Sequence, residues 1–239
     1  MRIQIIPCLN DNYSYLIIDE EKNIACVVDP SDSGPIIKYL ENNKIQLKFI
    51  LNTHHHFDHV GGNQKLKEKY GANVIGYNGD KDRIPGIDIL VNDQETWRYK
   101  NFEAKIMHIP GHTLGHICFY FYKNESVFTG DTLFSLGCGK IFEGTHKQMF
   151  NSLMKLKKLP INTKVFCGHE YTLQNSNFCK AYDRDNINLK AKINEIKIRL
   201  KAGLSTIPST IKDELECNIF LRSPNLETFS KLRNLKDNF

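Results

Sequence analysis

The stretch Thr53-His54-His55-His56-Phe57-Asp58-His59-Val60-Gly61-Gly62 constrains this 239-residue chain more than any other. It directly follows the apolar run Phe49–Leu51, and a loop at the end of a buried strand is where a rigid scaffold presents reactive side chains. Imidazole nitrogens and a carboxylate oxygen are ligands that zinc, iron and manganese accept. His54 and His56, as alternate residues, can point to one side, and a turn at Phe57 can bring Asp58 and His59 to a second centre nearby. Gly61 and Gly62 are expected to let the backbone turn sharply into a following helix.

The chain around this stretch reads as short apolar strands separated by turn residues. Tyr13–Ile18, Ile24–Val28, Phe49–Asn52, Phe102–His108, Ile117–Tyr122, Ser126–Thr129 and Lys164–Cys167 carry the β-branched and aromatic residues that suit a sheet. Helical spacing falls between them at Ser33–Asn43, Gly62–Tyr70 and Lys147–Leu156, the first with Pro35 in its opening turn. A layered α/β domain over residues 1–171 follows. After Tyr171 the pattern turns helical, with Ile187–Leu200 ended by Gly203 and a last helix over Leu226–Lys236. Residues 172–239 are expected to form a small helical domain.

Three further candidate ligands stand after other expected strands: His112 in Pro110-Gly111-His112-Thr113, Asp131 in Thr129-Gly130-Asp131-Thr132, and His169 in Cys167-Gly168-His169-Glu170. Alone, each would read as an ordinary histidine or a turn aspartate. Beside the His54 cluster they complete a set of seven ligands, enough for two metals if one carboxylate bridges. His55 is expected to face away, His108 to lie in a strand, His116 to stand behind the ligands, and His146 to start a helix.

Composition narrows the class. The start, Met1–Pro7, lacks the apolar stretch of a secretory signal, and no window approaches the ~18 apolar residues of a membrane span. A cytoplasmic chain that engages no membrane is expected. Seven cysteines without a C-x-x-C pair argue against a disulfide framework. The net charge is +5. Residues 190–239 hold ten Lys or Arg against six Asp or Glu, so this end carries most of it. That bias favours an anionic partner; the charges are neither dense nor interleaved with aromatics, as a nucleic-acid face requires.

The pattern His-x-His-x-Asp-His with His112, Asp131 and His169 resembles the metallo-β-lactamase superfamily, whose fold is a four-layered αβ/βα sandwich. More narrowly, Thr53–Gly62, Thr129–Phe134, Gly137–Lys140, Glu143–Thr145 and Gly168–Tyr171 look like glyoxalase II, the hydroxyacylglutathione hydrolases. The similarity continues through Ile207–Thr210, Asn218–Arg222 and Arg233–Phe239. The resemblance places metal 1 on His54, His56 and His112, and metal 2 on Asp58, His59 and His169, with Asp131 bridging. Zinc is the first expectation for both, with iron or manganese as alternatives. For glutathione it implies Lys140, Tyr171, Arg233 and Lys236, and Phe142 where the family commonly has Tyr.

The activity so implied is hydrolysis of S-(2-hydroxyacyl)glutathione, S-D-lactoylglutathione first, as in methylglyoxal detoxification. Two cations would lower the pKa of a shared water to supply hydroxide, which Asp58 orients. A thiolate leaves without a strong general acid, since thiols titrate near ~8.5. The alternative is a single-iron glutathione persulfide dioxygenase of the same superfamily, which lacks the extended helical end. A monomer is expected.

Overall fold

Alternating and β-branched runs set the first sheet. In the computed structural model, which describes residues 1–239, Arg2–Cys8 (β1) pairs antiparallel with Asn12–Asp19 (β2), and β2 with Ile24–Val28 (β3). β2 and β3 are buried along their whole length, as continuous apolar runs covered on both faces must be. Parallel pairing then takes over, from β3 to Gln46–Leu51 (β4), Asn73–Tyr77 (β5) and Ile87–Val91 (β6).

Parallel neighbours need crossovers, and helices supply them. Ser33–Asn42 (α1) joins β3 to β4, and Phe57–Val60 (α2) with Asn63–Tyr70 (α3) joins β4 to β5. The Asp32 carboxylate opens α1 by accepting the Gly34 N–H at 2.9 Å, and Gly71 closes α3 in the left-handed conformation at φ +62. Ile36 and Leu40, one turn apart, enter a core with Leu47, Ile50, Leu66 and Val74. Each such buried side chain stabilises by roughly 1.5–3 kcal/mol. Thr96–Tyr99 (β7), Phe102–His108 (β8) and Ile117–Phe121 (β9) form an antiparallel run. These elements belong to one compact unit, residues 1–108 with 115–124.

The second unit comprises residues 109–114 and 125–239. Ser126–Gly130 (β10) is followed by the hairpin of Leu133–Phe134 (β11) and Gly137–Cys138 (β12). β10 pairs parallel with Lys164–Cys167 (β13), and β13 antiparallel with Ser209–Thr210 (β14). Five helices accompany them: His146–Leu156 (α4), Thr172–Tyr182 (α5), Ile187–Lys201 (α6), Ile211–Cys217 (α7) and Leu226–Asp237 (α8). Thr145 and Gln148 close a capping box on α4, while Asn186 and Asn225 cap α6 and α8. Phe178, Phe220 and Phe229 meet between α5 and α8, the first two stacked at 5.7 Å. The helices after residue 171 therefore share a unit with β10 and β13.

The expected elements form, with ends shifted by at most three residues, the most at the start of β4. β1, β5, β6, β7, β11, β12, β14, α2, α5 and α7 are additions that the sequence reading did not contain. All seven cysteines are free and buried, and burial pushes the Cys167 and Cys179 thiols up to about 12. They pack as small buried residues, and Cys179 also donates to Leu136 O at 3.2 Å. No helix is long and apolar enough to cross a membrane.

Glu214 on α7 is fully buried. Burial pushes its carboxyl from 4.5 up to about 7, against the lowering effect of bonds from Asn218 and the Leu136 N–H. The folded value is the higher, so the stability conferred by the protonated form is complete below about 4.5 and is lost as pH rises through about 7. Glu214→Gln, neutral throughout, is expected to lose less of its thermal midpoint between about pH 5 and about pH 8 than the unsubstituted protein. Thermal melts at the two pH values test this; equal losses would return the carboxyl to its ordinary range.

Candidate metal centre

In the first unit, parallel neighbours β3 and β4 end side by side, with Val28 opposite Leu51. The next residues, Asp29 and Asn52 to His54, are thereby brought together at the carboxyl ends of the strands, where open α/β sheets build their sites. His54 and His59 are buried, and His56 and Asp58 half-buried. The His54 ring lies 4.8 Å from that of His56 and 4.2 Å from that of His59. Asn12 at the start of β2 donates to the Asp58 carbonyl at 3.1 Å and to its Oδ2 at 3.0 Å, fixing that carboxylate.

Gly61 and Gly62 serve differently from expectation. Both take right-handed helical angles, so the turn does not require glycine freedom. Close packing does: a Cβ on Gly61 would lie 2.8 Å from Ser31 O, and one on Gly62 2.7 Å from Pro30 O. The pair lets the ligand loop settle against the chain after β3.

In the second unit the same device recurs. Parallel neighbours β10 and β13 end together, with Gly130 opposite Cys167, and the following residues include Asp131 and His169. Asp131, His112 and His169 are all buried. Asp131 Oδ2 lies 3.5 Å from His112 Nε2 and 3.3 Å from His169 Nε2. The loop that returns past Asp131 passes so close that a Cβ on Gly139 would stand 1.9 Å from Asp131 O; only glycine fits.

The donor chemistry fits divalent cations. His112 Nδ1 lies 2.7 Å from the Lys140 carbonyl. A carbonyl only accepts, so Nδ1 carries the proton and Nε2 presents a lone pair. His59 Nδ1 likewise meets Asp29 Oδ2 at 3.0 Å. The Thr53 hydroxyl gives its proton to Asp29 Oδ2 at 2.6 Å, so it accepts from His54 Nδ1 at 3.0 Å. All three rings are thus held in the tautomer whose Nε2 carries a lone pair. Two donors on one tetrahedral ion at ~2.0–2.2 Å stand about 3.3–3.6 Å apart. The Asp131 separations fall in that interval, as does the 3.6 Å between Asp58 Oδ2 and His59 Nε2.

The expected substrate contacts lie in the second unit. Phe142 is 62% exposed and meets the His112 ring edge-on at 5.2 Å, with Lys140 Nζ over its face at 5.6 Å. Tyr171 stacks on His169 at 4.7 Å. Lys236 is half-buried between the rings of Phe178 and Phe239, and burial, then Arg233, lowers its pKa. Arg233 is placed otherwise than a surface cation. It is 4% exposed, and donates to the Cys138 carbonyl at 2.8 Å and to Asp237 at 2.9 Å.

Of the other histidines, His108 ends β8 and His146 begins α4, as read from the sequence. His116 stacks on His54 at 4.6 Å, and His55 turns to Asp80 at 3.1 Å. Sequence reasoning missed Asp29 and Asn12. Asp29 receives Thr53 N–H, Thr53 O–H and His59 Nδ1–H, and the available signal was its place directly after a buried strand. Asp29→Ala is expected to weaken metal retention about 10-fold or more, checked by metal content after dialysis; unchanged content would reduce Asp29 to a packing role.

The sequence profile described as the metallo-beta-lactamase superfamily matches residues 9–88 and 101–169, and the one described as the hydroxyacylglutathione hydrolase C-terminus matches 170–239. The chain is 74% identical over 239 residues to a hydroxyacylglutathione hydrolase of Pelagibacter ubique, covering all of both chains. Its fold is similar to the crystal structure of ETHE1 from Myxococcus xanthus, with TM-score 0.76, 23% identity, and 98% and 90% of the two chains covered. It is also similar to TTHA1623 in a di-iron-bound form, with TM-score 0.58, 26% identity, and 71% and 92% covered.

Proposed function

The chain belongs to the hydroxyacylglutathione hydrolases of the metallo-β-lactamase superfamily, and on that premise we propose which residues hold its metals and its substrate. It is a metal-dependent thioester hydrolase acting on a hydroxyacylglutathione. The proposed substrate is S-D-lactoylglutathione, cleaved to glutathione and a 2-hydroxy acid. Two divalent ions, zinc before iron or manganese, are assigned to His54, His56 and His112, and to Asp58, His59 and His169, with Asp131 shared. The observation that carries the pair is Asp131 Oδ2, within 3.5 Å of one histidine from each set. A di-iron form of TTHA1623 supports two ions on such a scaffold.

When bound, such ions polarise a carbonyl and lower the pKa of water towards neutrality. The chain's own residues do the rest. Asp58, held by Asn12, orients the attacking water through its hydrogen. Lys140, Arg233 and Lys236 are assigned to the glutathione carboxylates and Tyr171 to its polar backbone, so that the thioester carbonyl is fixed for attack. Phe142 supplies a ring face without a hydroxyl. The departing thiolate needs no strong acid. Residues 1–171 are assigned to catalysis and 172–239 to substrate binding, in a cytoplasmic monomer that engages neither nucleic acid nor membrane.

The test is metal analysis of the purified protein with thioester loss from S-D-lactoylglutathione, before and after chelation. Turnover that chelation removes and added zinc restores supports the reading. Persulfide-dependent oxygen uptake without thioester loss would replace it with the single-iron dioxygenase, against which the match over 170–239 weighs.

A further inference from the structure

Between Asp131 and Lys140 the chain makes the β11–β12 hairpin, and side chains of three helices hold its carbonyls one after another. Asn218 at the end of α7 donates to Phe134 O at 3.4 Å and to Gly137 O at 3.0 Å. Asn175 of α5 donates to Ser135 O at 3.1 Å, and Cys179 of α5 to Leu136 O at 3.2 Å. Arg233 of α8 takes Cys138 O at 2.8 Å. The N–H of Leu136 is given to Glu214 of α7 at 2.9 Å, and the same Glu214 oxygen accepts from Asn218 at 2.8 Å.

Five consecutive carbonyls are thus bound by helix side chains, which exceeds what a two-by-two-residue hairpin needs to close. Leu136 shows what the arrangement holds down. Its φ is +58, in the left-handed region that disfavours a residue with a Cβ, so the turn draws on outside support to keep it. Glu214 and Asn218 are both fully buried, and Gly137 packs against Asn175 so closely that a Cβ there would lie 2.5 Å from its Nδ2.

We infer that Glu214 and Asn218, with Asn175 supporting them, are positioning residues of the reaction. By pinning residues 134–138 they hold Asp131 at one end of the segment and Lys140 at the other in fixed relation. The link to chemistry runs through the ends: Gly139 packs on the Asp131 carbonyl, and the Lys140 carbonyl holds the proton of His112 Nδ1. A loosened hairpin therefore moves a shared carboxylate, releases a histidine's tautomer and frees a substrate-binding lysine together. The roles of Asp131 and Lys140 rest on the function proposed above; the hydrogen bonds do not.

The experiment compares Glu214→Leu, Glu214→Gln and Asn218→Ser in the full chain, loaded with zinc. Amide hydrogen exchange over Leu133–Lys140 is read together with KM and kcat for S-D-lactoylglutathione. Glu214→Leu and Asn218→Ser are expected to speed exchange in that segment, raise KM and lower kcat, each by about 10-fold. Glu214→Gln, which keeps an oxygen for Leu136 N–H and Asn218, is expected to restore all three. If Glu214→Leu does not fold, Asn218→Ser and Asn175→Ala carry the same expectation. Unchanged exchange, or faster exchange with unchanged KM and a kcat lowered only by the unfolded fraction, overturns the inference. Asp131→Ala is run beside them: if it keeps metal and turnover, the functional reading fails, whereas the exchange data still decide whether α7 holds the hairpin.

Discussion

Asp131→Asn is expected to lower kcat for thioester hydrolysis by about three orders of magnitude and to leave the protein with fewer bound ions per chain. The substitution preserves volume and shape, so the hairpin that follows should keep its fold. What changes is charge and the number of lone pairs. In the native arrangement one carboxylate oxygen faces His112 Nε2 at 3.5 Å and His169 Nε2 at 3.3 Å. The His112 Nε2 is a lone-pair donor because its Nδ1 proton is held by Lys140 O, so it and the carboxylate oxygen form a pair of donor atoms that a cation between them would stabilise. An amide offers a neutral oxygen or a proton-bearing nitrogen at that point, and neither carries the negative charge that draws a divalent cation there. Loss of charge stabilisation worth several kcal/mol corresponds to about 10³-fold in rate. Metal analysis and steady-state kinetics on the same preparation provide the check. Near-native turnover with two ions retained would remove Asp131 from the shared position and with it the case for paired metals.

Much of this centre was legible because its residues cluster in sequence. His54, His56, Asp58 and His59 fall in six residues, and each remaining ligand follows a glycine at a strand end. Parallel pairing explains why strand ends matter: β3 with β4, and β10 with β13, each deliver two loops to one place. The supporting residues were hidden for the same physical reason in reverse. Asp29 stands in Asp29-Pro30-Ser31-Asp32, which reads as a turn, and the three hydrogen bonds to its carboxylate come from residues far along the chain. α5 escaped notice because the face it buries is Thr172, Asn175 and Ser176 beside Phe178 and Cys179, so no apolar period marks it. α7 has seven residues and buries an acid, Glu214, where a sequence pattern reads surface. In both helices polar side chains were spent on backbone groups of the 134–138 segment, which periodicity cannot show. Gly61 and Gly62 were placed correctly but for the wrong reason: they answer a close approach of backbone, not a turn.

The two basic residues of α8 should separate when substituted, although they lie three apart on one helix. Lys236→Ala is expected to raise KM about 10-fold with kcat nearly unchanged, since a charge-assisted contact to a carboxylate contributes ~1.5–3 kcal/mol and touches no reacting atom. Burial and Arg233 lower the Lys236 pKa, so the charge is lost at a lower pH than for an ordinary lysine. KM of the unsubstituted enzyme should therefore begin to rise sooner on the alkaline side, and that early rise should vanish in Lys236→Ala. Arg233→Ala is expected to raise KM and also to lower the thermal midpoint. Its guanidinium is buried over the Phe220 ring at 5.3 Å and bonded to Cys138 O and to the more exposed Asp237, and removing it leaves a buried carbonyl without its donor, which typically costs about 1–3 kcal/mol. Arg233→Lys keeps a charge but cannot span both partners, so it should recover part of the stability and less of the KM. In the double alanine variant KM should rise about 100-fold or more, with kcat falling far less. Kinetics from neutral to alkaline pH, paired with thermal melts, distinguish the two roles. An unchanged KM in the double variant would withdraw both residues from the glutathione carboxylates and leave Arg233 a structural role through the Cys138 carbonyl and Asp237.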